Sequence, residues 1–329
     1  MANEQDFLDK KIQEVASSSA LNKYYIFAND LINNLLDKKK RASHDTECVF
    51  GCIYGATLSG CVQKKLAIPN VSCGYLVFLH HLKKKDLIGR NTDLLQQKHK
   101  NILEWIEQCI EKMKKQGTHT IVRRHSESSL RIKWKGVEYH IVIACTFSKR
   151  QYCEFHYTQQ NVHVYPFSSE QLQMAANDLI DEAPIHQRYI KQMSRANKAW
   201  TKFLEKNMSA SLSLLRVYYM REELVGKNTR SAIMFLKMWQ HYQVKDKKHL
   251  SNNSLEIICV HLFDQLKNKS QPNLTIFSFD IIEEFFKFVA QFKKPISEVL
   301  SVEWPYQDKY LLHSEDVKNF KRTLNPGSI

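Results

Sequence analysis

The chain has 329 residues, of which 43% are hydrophobic and 11% aromatic, so it can bury a large core and is not a disordered segment. Nine glycines and seven prolines are too few for a turn-rich all-β fold and favour long helices. Forty-eight Lys and Arg against 34 Asp and Glu give a formal net charge of +14, which attracts polyanions such as nucleic acid. Such a charge is also typical of a protein that merely has lysine-rich faces.

The N-terminal half of the chain predicts helices first and a sheet afterwards. Apolar residues recur at helical spacing through the first 40 residues, with a break at three consecutive serines. Predicted strands then surround one long amphipathic helix over 92–115. The strands are expected within 47–60, 75–79, 118–126, 129–147 and 161–167, with a hairpin turn at Lys135-Gly136.

From Ser168 onward the pattern is helical. Three strongly amphipathic helices are predicted, over 228–242, 253–267 and 280–292. We therefore predict an α+β fold with two lobes. A small α/β lobe with a mixed sheet and an N-terminal helical arm spans 1–167, and a helical lobe spans 168–329.

The cysteine spacing and the lengths of the apolar runs indicate the cellular compartment of the protein. Eight cysteines form no CxxC pair and no regular framework, and no apolar run approaches the length that spans a membrane. The chain opens on no apolar signal segment. These features predict a reduced intracellular protein, in the cytoplasm or the nucleus, with no membrane partner.

Several short stretches carry a resemblance to a known family. FANDLINNLL lies near the start, LVFLHHL and GVEYHIVIA lie in the predicted sheet, and RSAIMFLKMWQHY lies in the helical lobe. In this order they resemble the oligoadenylate synthetases, within the nucleotidyltransferase superfamily that includes cyclic GMP-AMP synthase. The resemblance covers nearly the whole chain. It implies a bilobal nucleotidyltransferase fold and a role in innate immunity.

The resemblance also places the catalytic residues. Active members of the family hold two Mg²⁺ ions with three aspartates, and these positions correspond to Cys73, Tyr75 and His140 here. Mg²⁺ requires oxygen ligands, whereas a thiol and an imidazole suit zinc. We therefore predict a pseudoenzyme with no intact catalytic residue, which needs no cofactor; Mg²⁺ and ATP are expected only if activity is retained.

Two ways of rescuing the site remain as alternatives. Glu138 lies two residues before His140 on the same face of its strand, about 7 Å along it, and Asp86 follows the 75–79 strand. Neither replaces the missing pair of carboxylates. Cys73 and His140 with Cys52 would form a zinc site, although their spacing is not that of structural zinc ligands.

Nucleotide-binding residues follow from the same resemblance. The phosphate-binding turn of the family corresponds to Gly51 and Cys52, where its serine is missing, while the segment 55–60 keeps its glycines. Eleven residues between Gly60 and Ser72 have no counterpart in the synthetases. In the helical lobe, Lys237 matches a lysine that binds the donor triphosphate, and Asn252 with Asn253 matches an adenine-binding pair, if nucleotide binding is retained.

Double-stranded RNA activates the family, so RNA is the expected partner of a catalytically inactive, synthetase-like binding protein. A protein-interaction module that pairs with an RNA-associated complex or an active homologue is one alternative function. An active nucleotidyltransferase that makes oligo- or cyclic nucleotides with rearranged ligands is another. The candidate RNA-binding residues are Lys23, Lys38, Lys39, Lys40, Arg41, Lys198, Lys202 and Lys227.

Overall fold

The computed structural model describes eleven stretches of the chain and five further residues between 210 and 220. The stretches are 2–15, 21–31, 53–69, 71–81, 91–114, 120–126, 129–134, 136–146, 225–243, 250–270 and 275–291. The helices are α1 (Ala2–Val15), α2 (21–31), α3 (Gly60–Gln63), α4 (Asn91–Lys114), α5 (Lys227–Gln243), α6 (Asn252–Lys269) and α7 (Ser278–Gln291). The strands are β1 (Ile53–Ser59), β2 (Gly74–His81), β3 (Thr120–Ser126), β4 (Ser129–Trp134) and β5 (Val137–Thr146).

The chain divides into two compact units, each built from segments that are not contiguous in sequence. The sheet unit comprises Ser18–Lys65 and Ser72–Glu222. The helical unit comprises Met1–Ser17, Leu66–Val71 and Glu223–Ile329. The predicted lobe boundary between 167 and 168 lies outside the described residues.

The sheet is mixed, as the sequence predicts, with strand order β1-β2-β5-β4-β3. β2 and β5 are parallel, and the other neighbouring strands are antiparallel. The predicted hairpin between β4 and β5 is confirmed, and Gly136 adopts a φ of +83° that a glycine takes without steric cost.

Helix α2 covers the start of β2 and β5 with aromatic side chains. The ring of Phe27 lies 4.3 Å from that of Tyr139, and Tyr24 meets the same ring edge-on at 5.9 Å, centroid to centroid. Gly74 is required at this point, because a Cβ there would lie 2.5 Å from the Tyr139 ring. The Tyr24 hydroxyl donates to the Ser72 carbonyl at 2.7 Å, which fixes the chain where it enters β2.

The helical unit is held by an apolar core and a few buried polar contacts. Leu8 and Ile12 of α1, together with Ile281 and Phe285 of α7, are buried. Gln5 of α1 donates to Ser278 Oγ at 3.0 Å and accepts from the Ser278 backbone N–H at 3.1 Å. Helix α6 begins after Ser251, whose side chain accepts a hydrogen bond from the Ser254 N–H, a standard N-cap.

The sequence predicts a strand within 47–60 that leads into a glycine-punctuated turn. The structure shows this strand as β1, whose residues pair with β2 up to the Ser59↔Tyr75 position. The turn occurs at Gly60, which has a φ of +63°. The predicted strand at 161–167 and the predicted helices before residue 210 lie outside the described residues. Among the helices that the structure describes, none is long and apolar enough to cross a membrane.

Candidate functional site

A polar row crosses the described part of the sheet. Strand pairing places Ser59 opposite Tyr75, Tyr75 opposite His140, and His140 opposite Arg131. Residues that are directly opposite in neighbouring strands present their side chains on one face, so the four form a continuous band, here called the polar row. The next row along the strands, on the other face, is apolar and buried, with Leu58, Leu76, Ile141 and Leu130.

Tyr75 and His140 are the centre of the polar row. Their ring centroids are 6.3 Å apart with an interplanar angle of 28°. Burial raises the pKa of the Tyr75 hydroxyl to about 12, and the charge of Arg216 opposes this shift. The tyrosine is therefore a neutral hydrogen-bonding group at neutral pH. The sequence correctly brings these two positions together, because the family resemblance places them on neighbouring strands.

Glu138 reaches the polar row from one step further along β5. Its Oε1 lies 3.4 Å from His140 Nε2 and accepts a hydrogen bond of 2.5 Å from Arg131 Nε. The expected separation of about 7 Å along the strand is wrong for the side chains. The carboxylate leans toward the imidazole, whereas the strand spacing describes only the backbone.

The strand-to-helix turn that follows β1 adjoins Tyr75. A Cβ on Gly60 would lie 3.1 Å from Tyr75 Cβ, so the backbone approaches this strand closely. Ser213 donates its hydroxyl proton to the Ala210 carbonyl at 2.6 Å, and its oxygen lies 3.1 Å from Ser59 Oγ. Since the Ser213 proton is already engaged, Ser59 is the donor of the hydrogen bond between the two serines.

The residues at this site do not fit a pair of magnesium ions. Glu138 is the carboxylate that contacts His140, and Cys73 and Tyr75 are poor ligands for a hard cation. Burial raises the pKa of the Cys73 thiol to about 11, with smaller contributions from Cys61 and Glu138. In the part of the chain that the structure describes, no three His, Cys, Asp or Glu side chains are placed to hold a metal. Cys52 of the zinc alternative lies outside that part, as does Gly51.

The nucleotide-binding candidates of the helical lobe are placed differently from one another. Lys237 is 2% exposed, and its Nζ lies 2.7 Å from Glu256 Oε1, so its charge is neutralised inside the helical unit. Asn252 and Asn253 are exposed in the first turn of α6. The lysine is therefore buried, whereas the two asparagine side chains are exposed to solvent.

Two of the RNA-binding candidates are described. Lys23 is exposed on α2. Lys227 begins α5, its side chain is 69% exposed, and its Nζ lies 3.4 Å from Asp9 Oδ2. The remaining six candidates lie outside the described residues: Lys38, Lys39, Lys40, Arg41, Lys198 and Lys202.

The sequence did not point to Ser59, Arg131, Ser213 or Arg216. Arg131 and Ser59 belong to the polar row through strand register, which the alternating pattern of β4 alone does not give. One signal was present: charged residues alternate with apolar ones along β4, whose Leu130, Ile132 and Trp134 are buried. That pattern places Arg131 on the less buried face of the sheet, opposite to Leu130.

Comparisons with known proteins give similarity in fold. No family model matches the chain, and no curated protein matches its sequence. The solved CdnC:HORMA-deltaN complex of E. coli MS115-1 matches with 11% identity and a TM-score of 0.44, covering 96% of this chain and 87% of the other. The STING-associated CdnE c-di-GMP synthase of Capnocytophaga granulosa matches with 14% identity and a TM-score of 0.40, over 96% and 84% of the two chains. Terminal uridylyl transferase 4 of Trypanosoma brucei matches with 12% identity and a TM-score of 0.38, over 86% and 78%.

The prediction that the chain is not an enzyme is contradicted by these comparisons, because the chains with a similar fold include a synthase and a transferase. That prediction rested only on the three exchanged aspartates. It also set aside the carboxylate of Glu138 as too distant, whereas Glu138 Oε1 lies 3.4 Å from His140 Nε2. The substrates of the solved proteins remain their own, since identities this low concern the fold alone.

Proposed function

We propose that the polar row binds a nucleoside phosphate. The observation that carries this proposal is the register that aligns Ser59, Tyr75, His140 and Arg131 across four strands. Ser59 of this row is fully buried and Tyr75 and His140 are partly buried, so their polar groups need hydrogen-bonding partners. A ligand that uses both rings and positive charges accounts for their presence.

The chemistry of the row suits both parts of a nucleotide. The neighbouring Tyr75 and His140 rings offer a flat surface on which a base stacks. Arg216, whose charge acts on Tyr75, and Arg131 supply guanidinium groups, which bind phosphate oxygens in pairs. Both arginines belong to the sheet unit, so the proposal does not depend on the helical unit.

The first test measures nucleotide affinity by calorimetry and thermal shift. ATP and GTP are expected to raise the melting temperature of the wild-type protein, since a ligand of the folded state stabilises it. Arg216→Gln is expected to weaken binding roughly ten- to hundredfold, because a hydrogen bond to a charged group contributes about 1.5–3 kcal/mol.

Lys112→Gln is the matched control. It removes one positive charge from an exposed position on α4 and is expected to leave affinity unchanged. Equal weakening by the two variants would show that only net charge matters and would overturn the proposed site. No thermal shift with any nucleotide would overturn nucleotide binding itself.

Nucleotidyl transfer at the same place is a second candidate function, and the position of Glu138 favours it. Its carboxylate contacts both His140 and Arg131. A carboxylate there is placed to accept the proton of an attacking hydroxyl while pyrophosphate leaves the donor nucleotide. This reading corresponds to the active enzyme with rearranged ligands that the sequence left as an alternative.

Glu138→Gln tests that candidate, because it keeps the shape of the side chain but removes the base. The wild-type protein, incubated with labelled nucleoside triphosphates in Mg²⁺ or Mn²⁺ and with or without duplex RNA, is expected to form products. The variant is expected to lose at least about 100-fold in rate, the scale of a general base. Product formation at an unchanged rate in the variant would exclude this role for Glu138.

Double-stranded RNA is our proposed macromolecular partner. Its support is the net charge of +14 together with the exposure of Lys23 and Lys227. Duplex RNA is recognised mainly through its shape and its phosphates, so a basic surface without a sequence motif is sufficient.

A further inference from the structure

In the described part of the sheet, the two carboxylate oxygens of Glu138 have different surroundings. Oε1 accepts hydrogen bonds from Arg131, with Nε and Nη2 each 2.5 Å away, and lies 3.4 Å from His140 Nε2. No donor of the described residues bonds to Oε2. One oxygen of this side chain is therefore held inside the protein, and the other keeps its capacity to accept from a ligand.

The position of Glu138 brings that second oxygen to the rim of the polar row. Glu138 and His140 are two residues apart on β5, so their side chains share one face of the sheet. The two side chains are 38% and 28% exposed. Two hydrogen bonds from the Arg131 guanidinium restrict the orientation of the carboxylate. A ligand on this face thus meets an acceptor that is already in place.

The acceptor distinguishes among the bases that could stack on the Tyr75 and His140 rings. Guanine has two adjacent donors on its Watson–Crick edge, N1–H and the amino group at C2. Adenine and cytosine place a ring-nitrogen acceptor beside their amino group, and uracil places a single N–H between two carbonyl oxygens. A carboxylate oxygen accepts two donors and repels a second acceptor, so guanine is the base that complements it.

We propose that Glu138 makes the polar row selective for guanine nucleotides, by accepting a hydrogen bond from the guanine amino group through Oε2. This inference rests on the proposed function, which places a nucleoside phosphate on the polar row, and it adds the identity of the base. It concerns affinity, whereas the proton transfer considered for Glu138 above concerns the rate of a reaction.

The test compares the affinities of GDP, IDP and ADP by titration calorimetry of the full chain. Hypoxanthine, the base of IDP, is guanine without the amino group at C2, so the comparison of GDP with IDP isolates that group. Diphosphates cannot release pyrophosphate, and binding is therefore measured without nucleotidyl transfer. GDP is expected to bind roughly ten- to hundredfold more tightly than IDP or ADP, the effect of one hydrogen bond to a charged group.

Glu138→Gln is expected to remove the preference for GDP. The Arg131 donors hold the amide oxygen in the place of Oε1, so the amide NH₂ takes the place of Oε2 and meets the guanine donors. GDP and IDP are then expected to bind equally. ADP is expected to keep its wild-type affinity, which verifies that the variant is folded and that the row is intact.

Glu104→Gln is the matched control. Glu104 also belongs to the sheet unit, its side chain is 41% exposed, and its Oε1 lies 3.9 Å from Lys100 Nζ. This variant removes the same charge away from the polar row and is expected to keep the full preference for GDP.

The outcomes separate this inference from the proposed function. Equal affinities of the wild type for GDP and IDP would overturn guanine selection and leave nucleotide binding standing. No binding of any of the three nucleotides would overturn both. Loss of ADP binding in Glu138→Gln, or loss of the GDP preference in Glu104→Gln, would also overturn the role of Glu138 in selecting the base.

Discussion

Two histidines buried side by side make the stability of the sheet unit depend on pH. His80 of β2 and His99 of α4 are 2% and 0% exposed, and His80 Nδ1 lies 2.9 Å from His99 Nε2. Burial lowers the pKa of His99 well below its usual value, and the charge of His80 adds to this effect. His99 is therefore neutral at physiological pH, and one of the two rings donates an N–H to the other.

The expected consequence is a loss of stability in mild acid. In the unfolded chain His99 takes up a proton near pH 6.5, whereas the folded protein resists protonation, so the free energy of unfolding falls as the pH drops below about 6.5. The slope that one such group contributes approaches about 1.4 kcal/mol per pH unit. Urea unfolding of the wild type and of His99→Gln between pH 5 and pH 8 measures it.

The control is His81→Gln, on the same strand but only partly buried. It is expected to keep the slope of the wild type, whereas His99→Gln is expected to flatten it. Equal slopes for the wild type and His99→Gln would contradict the role of the buried pair.

The polar row shows what sequence reasoning reaches at the level of single residues. The family resemblance singles out Tyr75 and His140, which the strand register places side by side. The sequence does not single out Ser59 and Arg131, because their membership of the row depends on strand register, which a one-residue slip would change entirely. The sequence places Glu138 too far from His140, because backbone spacing does not give the direction in which a side chain extends.

Between elements, a buried ion pair joins α5 to α6. Lys237 and Glu256 have side chains that are 1% and 3% exposed, with 2.7 Å between Nζ and Oε1. Cys259, one turn along α6, is also fully buried and has a raised pKa through burial. The pair neutralises two charges that the apolar core would not otherwise accept.

Removing one partner of this ion pair is expected to lower the free energy of unfolding strongly. Replacing both partners with apolar residues is expected to lower it much less. Lys237→Met removes the buried positive charge that pairs with Glu256 and is expected to lower the free energy of unfolding by about 3–5 kcal/mol. Lys237→Met with Glu256→Leu is expected to recover most of that loss. Chemical denaturation of the single and double variants measures the two losses of stability. A double variant no more stable than the single one would contradict the role given to the ion pair.

Lys287→Met provides the comparison at the surface. It breaks the exposed ion pair with Glu283 on α7 and is expected to leave the melting temperature unchanged, because solvent screens such pairs.

Element boundaries were predictable where periodicity was strong. The helices expected at 92–115, 228–242, 253–267 and 280–292 are confirmed as α4, α5, α6 and α7 within a few residues. The sequence predicts a strand and a glycine turn within 47–60 but not the residue at which the strand ends. That residue is set by pairing with β2, a tertiary contact that leaves no local signal.

For the molecule as a whole, the net charge of +14 predicts salt-dependent binding to duplex RNA. Each phosphate contact releases bound cations, so the affinity measured by fluorescence anisotropy is expected to fall linearly on logarithmic axes between 50 and 300 mM KCl. Lys23→Gln is expected to reduce that slope by about one unit if Lys23 contacts a phosphate.

Lys112→Gln is again the control, since it lies on α4 and is not among the RNA-binding candidates. It is expected to keep the wild-type slope. Binding that does not change with salt, or the absence of binding at 50 mM KCl, would overturn RNA as the partner.

The discontinuous composition of the helical unit limits how this chain evolves. It takes Met1–Ser17 from the start and Leu66–Val71 from within the sheet unit, besides everything from Glu223 onward. No single cut in the chain separates the two units, so neither unit can be transferred whole to another gene as one contiguous stretch.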